Sequence, residues 1–141
     1  DGFAHMSTAG GAELGCIVAM KVLEITQRPE VASMVTYISD YVRAGLDEIR
    51  ALYPDFFIGI RQNGVIMGLE FNDPEGAKPV MRHLYEHGVW AIFSTLDPSV
   101  LQFKPGILMT QEMCEEMLRR VEVAVGLAQR EVFGETRRRV A

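Results

Sequence analysis

Few residues in this chain have types and spacing suited to chemistry. His5-Met6-Ser7-Thr8-Ala9-Gly10-Gly11 sets two hydroxyls and two glycines directly before an apolar helical pattern. Such a segment offers hydroxyl donors, free backbone N–H groups and the positive end of a helix dipole to an anion, typically a phosphate. A flexible glycine-rich lead-in would have the same composition. His83 and His87 stand four apart on one helical face, a spacing that can bind a metal, but no third ligand neighbours them and His5 is remote. They read as a solvated helix face, so no metal site is expected. Lys21, Lys78 and Lys104 are the only lysines. Any of them has the amine for a Schiff base, yet Lys78 and Lys104 read as surface charge. The carboxylates form no paired acid–base signature, and no serine or threonine sits in a nucleophile elbow. No catalytic residue is assigned on these grounds.

The elements that must position these groups follow from hydrophobic period. Ala12 to Thr26 carries Leu14, Ile17, Val18, Val22 and Ile25 at helical spacing, with Ala19, Met20 and Leu23 on other faces. A helix apolar on most sides is normally buried on most sides. Arg28-Pro29 breaks it, and a second helix runs from Glu30 to Tyr53-Pro54-Asp55. Phe56 to Arg61 and Val65 to Phe71 read as strands, joined through Gln62-Asn63-Gly64, where Asn-Gly signals a tight hairpin. Asp73 is the expected cap, and Pro74 the first residue, of a helix reaching Glu86 and ending at His87-Gly88, with the imidazole near the negative end of the dipole. Val89 to Phe93 and Val100 to Lys104 read as strands. Thr110 is expected to cap a last helix whose stripe is Met113, Met117, Leu118, Val121, Ala124, Val125 and Ala128. The order predicts an α+β fold, a small antiparallel or mixed sheet with helices on one face.

Composition bounds the function. The chain has 141 residues, 48% of them hydrophobic, and a net charge of −5. That suits a folded domain with a real core and argues against nucleic-acid binding, which needs a clustered basic surface. The one basic run, Arg137-Arg138-Arg139, reads as a frayed, solvated tail. Cys16 and Cys114 form no CxxC pair and read as two buried thiols in a reducing compartment. No apolar run reaches the ~18 residues of a membrane span, and no signal peptide is seen. The expected location is cytoplasmic. The glycine-rich start at Asp1, and an apolar first helix too long for so small a layer, lead us to expect a fragment of a larger protein.

Four segments resemble one family. Ser7-Thr8-Ala9-Gly10-Gly11-Ala12-Glu13-Leu14-Gly15-Cys16 is similar to the H-x-S-T-[FY]-G-G-N-P-[LV]-A-C segment of class III pyridoxal-phosphate aminotransferases. Residues 63–71 resemble that family's G-x-G-L-M-x-G-I-E hairpin, Glu86-His87-Gly88-Val89 its helix end, and residues 100–108 its [VI]-L-R-[FI]-x-P-P-L segment. The resemblance covers essentially the whole chain in register. It implies the C-terminal portion of a fold-type-I subunit. Residues 1–28 would form the cofactor-phosphate loop and a long interdomain helix, and residues 29–141 the small C-terminal α+β domain. The cofactor implied is pyridoxal 5′-phosphate, with Thr8 reaching across a homodimer interface to the partner's cofactor phosphate and Ser7 beside it. The Schiff-base lysine would lie upstream, none of the three lysines taking its place, so this portion alone is expected to be inactive.

The departures from the pattern concern substrate and loop. Gln102, the expected substrate-binding residue, stands where many members have an arginine that grips a substrate carboxylate. Without that bidentate fork, an amine, an ω-amino acid held another way or an amino-alcohol phosphate fits better than an ordinary α-amino acid. Ala9 replaces an aromatic, and Ala12-Glu13 replaces Asn-Pro. The expected function is amino transfer between a small amine or amino acid and a keto acid in the full-length dimer. Alternatives are a phospho-lyase or decarboxylase of the same family, a self-contained small-ligand regulatory module, or a purely structural dimerisation domain.

Overall fold

A computed structural model of the chain describes residues 7–140, with side chains through Gly134. His5 and Met6 of the N-terminal motif lie outside the described residues. The chain divides into two compact units after Met34.

The first unit holds α1 (Glu13–Thr26) and the start of α2 (Pro29–Leu52). Helix α1 ends where the Gln27 N–H still reaches Leu23 O at 3.0 Å. Pro29 then opens α2 as its first residue, a position where the missing N–H has no intrahelical partner to lose. Helix α1 carries no buried residue: Leu14, Ile17, Val18, Met20, Val22 and Leu23 are all exposed. Its apolar surface is left uncovered, as expected of a portion whose first helix wants further protein against it, whereas the expectation of a buried Cys16 fails, its thiol being exposed. Periodicity reports that a surface wants covering; it does not supply the cover.

In the second unit, Ile38, Val42, Leu46 and Ile49 of α2 are buried at the predicted helical spacing. Tyr53 O stops the helix by accepting the N–H groups of Phe56 (3.1 Å) and Phe57 (2.8 Å). A hairpin follows, of β1 (Phe57–Asn63) and β2 (Ile66–Phe71). Its turn is Gly64-Val65, one residue later than the Asn-Gly reading, because Asn63 still pairs with Ile66 and Gly64 alone has positive φ, at 58°. Gly64 O is fixed by Ser39 Oγ of α2 (2.9 Å) and by Gln62 Nε2 of the hairpin itself (3.0 Å), so one tertiary and one local bond hold the turn in this place.

Helix α3 (Ala77–Glu86) begins three residues after the expected Pro74. Asp73 does cap, but it caps a turn: its Oδ1 accepts Glu75 N–H at 2.9 Å, and its carbonyl accepts Gly76 N–H at 3.0 Å. The C-terminus is as read. Gly88 takes φ 75°, Val89 N–H reaches Leu84 O at 2.8 Å, and Gly88 N–H reaches Tyr85 O at 3.0 Å, the paired bonds of a Schellman ending. Strand β3 is only Ile92–Phe93; residues 89–91 lack a ladder partner among the described residues. Strand β4 (Val100–Phe103) leads to α4 (Gln111–Val140), where Thr110 Oγ1 accepts Met113 N–H at 3.3 Å as the expected cap. The backbone stays helical through the Arg137-Arg138-Arg139 run, in place of a frayed tail. Met113 is exposed, and Cys114 takes its place on the buried stripe.

The sheet is wholly antiparallel, in the order β1-β2-β4-β3. Met67, Leu69, Phe71, Leu101 and Phe103 alternate onto one face and join the core residues of α2, α3 and α4, because successive strand side chains point to opposite sides. The α+β expectation, helices on one face of a small sheet, is met.

Candidate functional site

Two places carry the residues singled out above, one in each compact unit. In the first unit, residues 7–12 form a tight loop: Gly10 N–H donates to Ser7 O and Ala12 N–H to Ala9 O, each at 3.2 Å. Gly11 takes φ 76°, a left-handed conformation that glycine adopts without strain. A β-carbon on Gly10 would stand only 3.1 Å from Ser7 Cβ, so the loop closes this tightly only with glycine there.

The loop delivers the chain to an uncapped helix. Ala12 is the N-cap of α1, with extended φ −60°, ψ 127° and no side-chain cap. Cys16 N–H, bonded to Ala12 O at 2.9 Å, is the first to find a partner in the helical pattern. The N–H groups of Glu13, Leu14 and Gly15 thus point out of the helix end, as orphan donors do, beside the exposed hydroxyl-bearing residues Ser7 and Thr8. Neither hydroxyl bonds to another described residue. This combination of free donors and a positive dipole end favours an anion. The Glu13 carboxylate in the same first turn partly opposes it.

In the second unit, Gln102 lies on β4 between β2 and β3, opposite Gly68 and Ile92. It points to the sheet face away from the helices, since its neighbours Leu101 and Phe103 are buried on the other. Gly68 faces Arg61 across the hairpin, so Arg61, Gly68, Gln102 and Ile92 form one row across the strands. Arg61 is held by Glu70, which accepts its Nε at 2.6 Å and also an Nη2 hydrogen. Lys104 Nζ donates to Gln102 Oε1 at 2.8 Å. A shallow concavity of about 460 Å³ lies over this row, lined by Arg61, Asn63, Ile66, Gly68, Gln102 and Lys104 among others.

The remaining candidates are structural. Lys21 pairs with Glu24 at 2.8 Å and Lys78 with Glu75 at 2.5 Å. His83, 15% exposed, sits between Glu86 (2.9 Å) and Glu131 (3.1 Å), while His87 Nδ1 meets His83 O at 2.7 Å. The two imidazoles serve helix contacts, and no group of three metal-ligating side chains occurs among the described residues. Burial raises the thiol pKa of Cys114, with Glu115 adding to the shift, which leaves a packed and unreactive sulfur. Sequence reasoning missed Arg61 and Gly68 as neighbours of Gln102. The hairpin register carried half of that signal, by pairing 61 with 68.

Comparison with known proteins decides the family. Residues 2–125 match the family model for class-III aminotransferases. The chain belongs to this family. An uncharacterized aminotransferase of Archaeoglobus fulgidus is 35% identical to it over 127 residues, covering 89% of this chain and 30% of that protein. The crystal structure of N-acetylornithine aminotransferase from Stenotrophomonas maltophilia superposes with a TM-score of 0.70 at 25% identity, covering 77% of this chain and 30% of that one. An ornithine aminotransferase of Toxoplasma gondii, with pyridoxal phosphate (PLP) partially occupying its active site, has the same fold at 22% identity and a TM-score of 0.72, covering 89% of this chain and 30% of that one. The class-III chain described here thus spans about 30% of the length of these relatives.

Proposed function

We propose that this chain serves as the C-terminal part of a pyridoxal-phosphate-dependent aminotransferase, moving an amino group between a small amine or amino acid and a keto acid. Residues 1–28 act as phosphate loop and interdomain helix, and residues 29–141 as the small domain. The observation that carries the reading is the loop ahead of α1, where two hydroxyl-bearing residues with no partner among the described residues adjoin an uncapped helix end within a chain of this family.

The donor set fits the cofactor's phosphate: Ser7 and Thr8 donate hydroxyl hydrogens to its oxygens, and Gly10 and Gly11 let the backbone come close. Thr8 acts across a homodimer interface, on the cofactor held by the partner subunit. The apolar, exposed face of α1 supports this reading, because it asks for further protein against it. When bound, PLP supplies an electron sink for breaking bonds at the substrate's α-carbon. Gln102 forms part of the substrate wall, orienting the substrate by hydrogen bonds without a fixed charge of its own. Two free thiols, Cys16 and Cys114, support a reducing, cytoplasmic setting. No described helix is long and apolar enough to cross a membrane.

The test is Thr8→Ala in the whole protein, with cofactor affinity read by absorbance titration of the apoprotein. A hydrogen bond to a charged group contributes about 1.5–3 kcal/mol, so the dissociation constant should rise roughly 10- to 100-fold. Unchanged affinity refutes the assignment.

A further inference from the structure

The tip of the β1–β2 hairpin sets an asparagine directly before a glycine, with neither reacting group engaged. Asn63 is the last residue of β1, exposed, and paired with Ile66 at the end of the ladder. Its side-chain amide, which could donate and accept, has no partner among the described residues. Gly64 is held by its carbonyl alone: the oxygen accepts Ser39 Oγ and Gln62 Nε2, while its N–H finds no acceptor among the described residues. With φ at 58° and open space where a β-carbon would stand, that nitrogen is unscreened by any side chain of its own residue. Rotation about the Asn63 Cα–C bond brings the amide carbon and the Gly64 nitrogen together. It breaks the terminal ladder pair, and such ends open at little cost in free energy. What resists the rotation is the grip on Gly64 O. Asn72, the other asparagine of the chain, is in the opposite state. Its Nδ2 donates to Asp55 O at 3.2 Å and its N–H to Phe56 O at 2.8 Å, and the residue after it, Asp73, bears a β-carbon and is bound into a turn.

We propose that Asn63 is a site of spontaneous covalent modification whose rate is restrained by the Ser39 bond to Gly64 O. The Gly64 nitrogen attacks Asn63 Cγ and gives up its proton to water. The new N–Cγ bond closes a cyclic imide, the Cγ–Nδ2 bond breaks, and Nδ2 takes a proton and leaves as ammonia. Water then opens the imide at either carbonyl, giving aspartate or isoaspartate at position 63. Nothing is oxidised or reduced, and water is the co-reactant. Either product adds one carboxylate to the chain. Isoaspartate also routes the main chain through the former side chain, which inserts a methylene between strand and turn and moves Gly64 O off Ser39. Asparagine is among the thermolabile side chains; in this fold one of the two is left open to the reaction and the other is shielded from it.

The chemistry needs no cofactor, so its outcome is separate from that of the phosphate loop. The 141-residue chain is incubated at one pH and temperature. Isoelectric focusing follows the added negative charge, and tandem mass spectrometry of the peptides locates it and separates aspartate from isoaspartate. A more acidic species modified at Asn63 should accumulate, with Asn72 intact. Asn63→Gln keeps an amide but closes a ring far less readily, and should yield no such species. Ser39→Ala removes one hydrogen bond from Gly64 O and should speed the conversion about two- to tenfold, the equivalent of one net hydrogen bond. A folded chain that keeps Asn63 while the same chain in urea loses it overturns the proposal. So does equal conversion at Asn72 and Asn63, which marks unfolding and not the hairpin tip as the cause, and so does an acidic species that persists in Asn63→Gln. Equal rates for Ser39→Ala and the parent chain refute the restraint.

Discussion

Adjacent residues on β4 should respond oppositely to truncation, because the strand turns one to the core and the other to the candidate site. Leu101 is 0% exposed and sits in a strand paired on both sides, opposite Leu69 on β2 and Phe93 on β3. Leu101→Ala removes methyl groups from the centre of a core in which Leu69, Leu84 and Val125 are equally enclosed. Leucine-to-alanine changes in such sites cost about 2–5 kcal/mol, more where the surroundings cannot collapse. Strands paired on both sides cannot shift inward without breaking ladder bonds, so the expected loss is about 3 kcal/mol or more. At roughly 3–5 °C per kcal/mol for a chain of this size, Tm falls by about 10–15 °C. Gln102→Ala, one residue on, removes a half-buried polar side chain from the opposite face and should stay within about 0.5 kcal/mol. Urea titrations followed by far-ultraviolet circular dichroism give both values, with the slope m unchanged if compactness is preserved. A Leu101→Ala loss below about 1 kcal/mol, under the range for enclosed leucines, would refute the account, as would a larger loss for Gln102→Ala.

Two further predictions follow from the same packing. The Glu131 carboxyl is held below its ordinary value of 4.5, first by Arg82 and then by His83. A depressed acid stabilises the fold above its unfolded pKa, and that contribution disappears as pH falls through the folded one. The urea midpoint should therefore drop on acidification below pH 4.5, and Glu131→Gln should flatten part of that slope; an unaltered slope sinks the assignment. Gly64→Ala forces a β-carbon into the turn's positive φ of 58°, in otherwise open space. It should cost about 1–2 kcal/mol from backbone strain alone, measured by the same titration, and a neutral result would place the strain elsewhere.

Much of this molecule is legible locally. The helical spacing of Ile38, Val42, Leu46 and Ile49, the glycine ending at Gly88 and the Thr110 cap are each decided within a few residues, and each stands in the structure. The family, too, is carried by short linear segments, since residues 2–125 match in order. Strand β3 came out three residues shorter than read, and two other boundaries slipped where neighbouring contacts outvoted local preference. The hairpin turn moved to Gly64-Val65 because Ser39 and Gln62 hold Gly64 O. Helix α3 starts late because Asp73 and Gly76 are bound into a turn against Phe71, whose Cβ would lie 2.7 Å from a β-carbon on Gly76.

Sequence by itself determined the α+β class, the strand alternation that turns Gln102 away from the core, and the grouping of hydroxyls and glycines before α1. Tertiary structure alone decided that β4 inserts between β2 and β3, which sets Gln102 opposite Gly68, while Arg61 pairs with Glu70 and Lys104 bonds to Gln102. It also decided that Cys114 is buried while Cys16 is exposed. The physical reason is range: periodicity and capping act over a single turn or hairpin, whereas strand order and ion-pair partners are fixed by contacts between residues far apart in the chain, which no local pattern encodes.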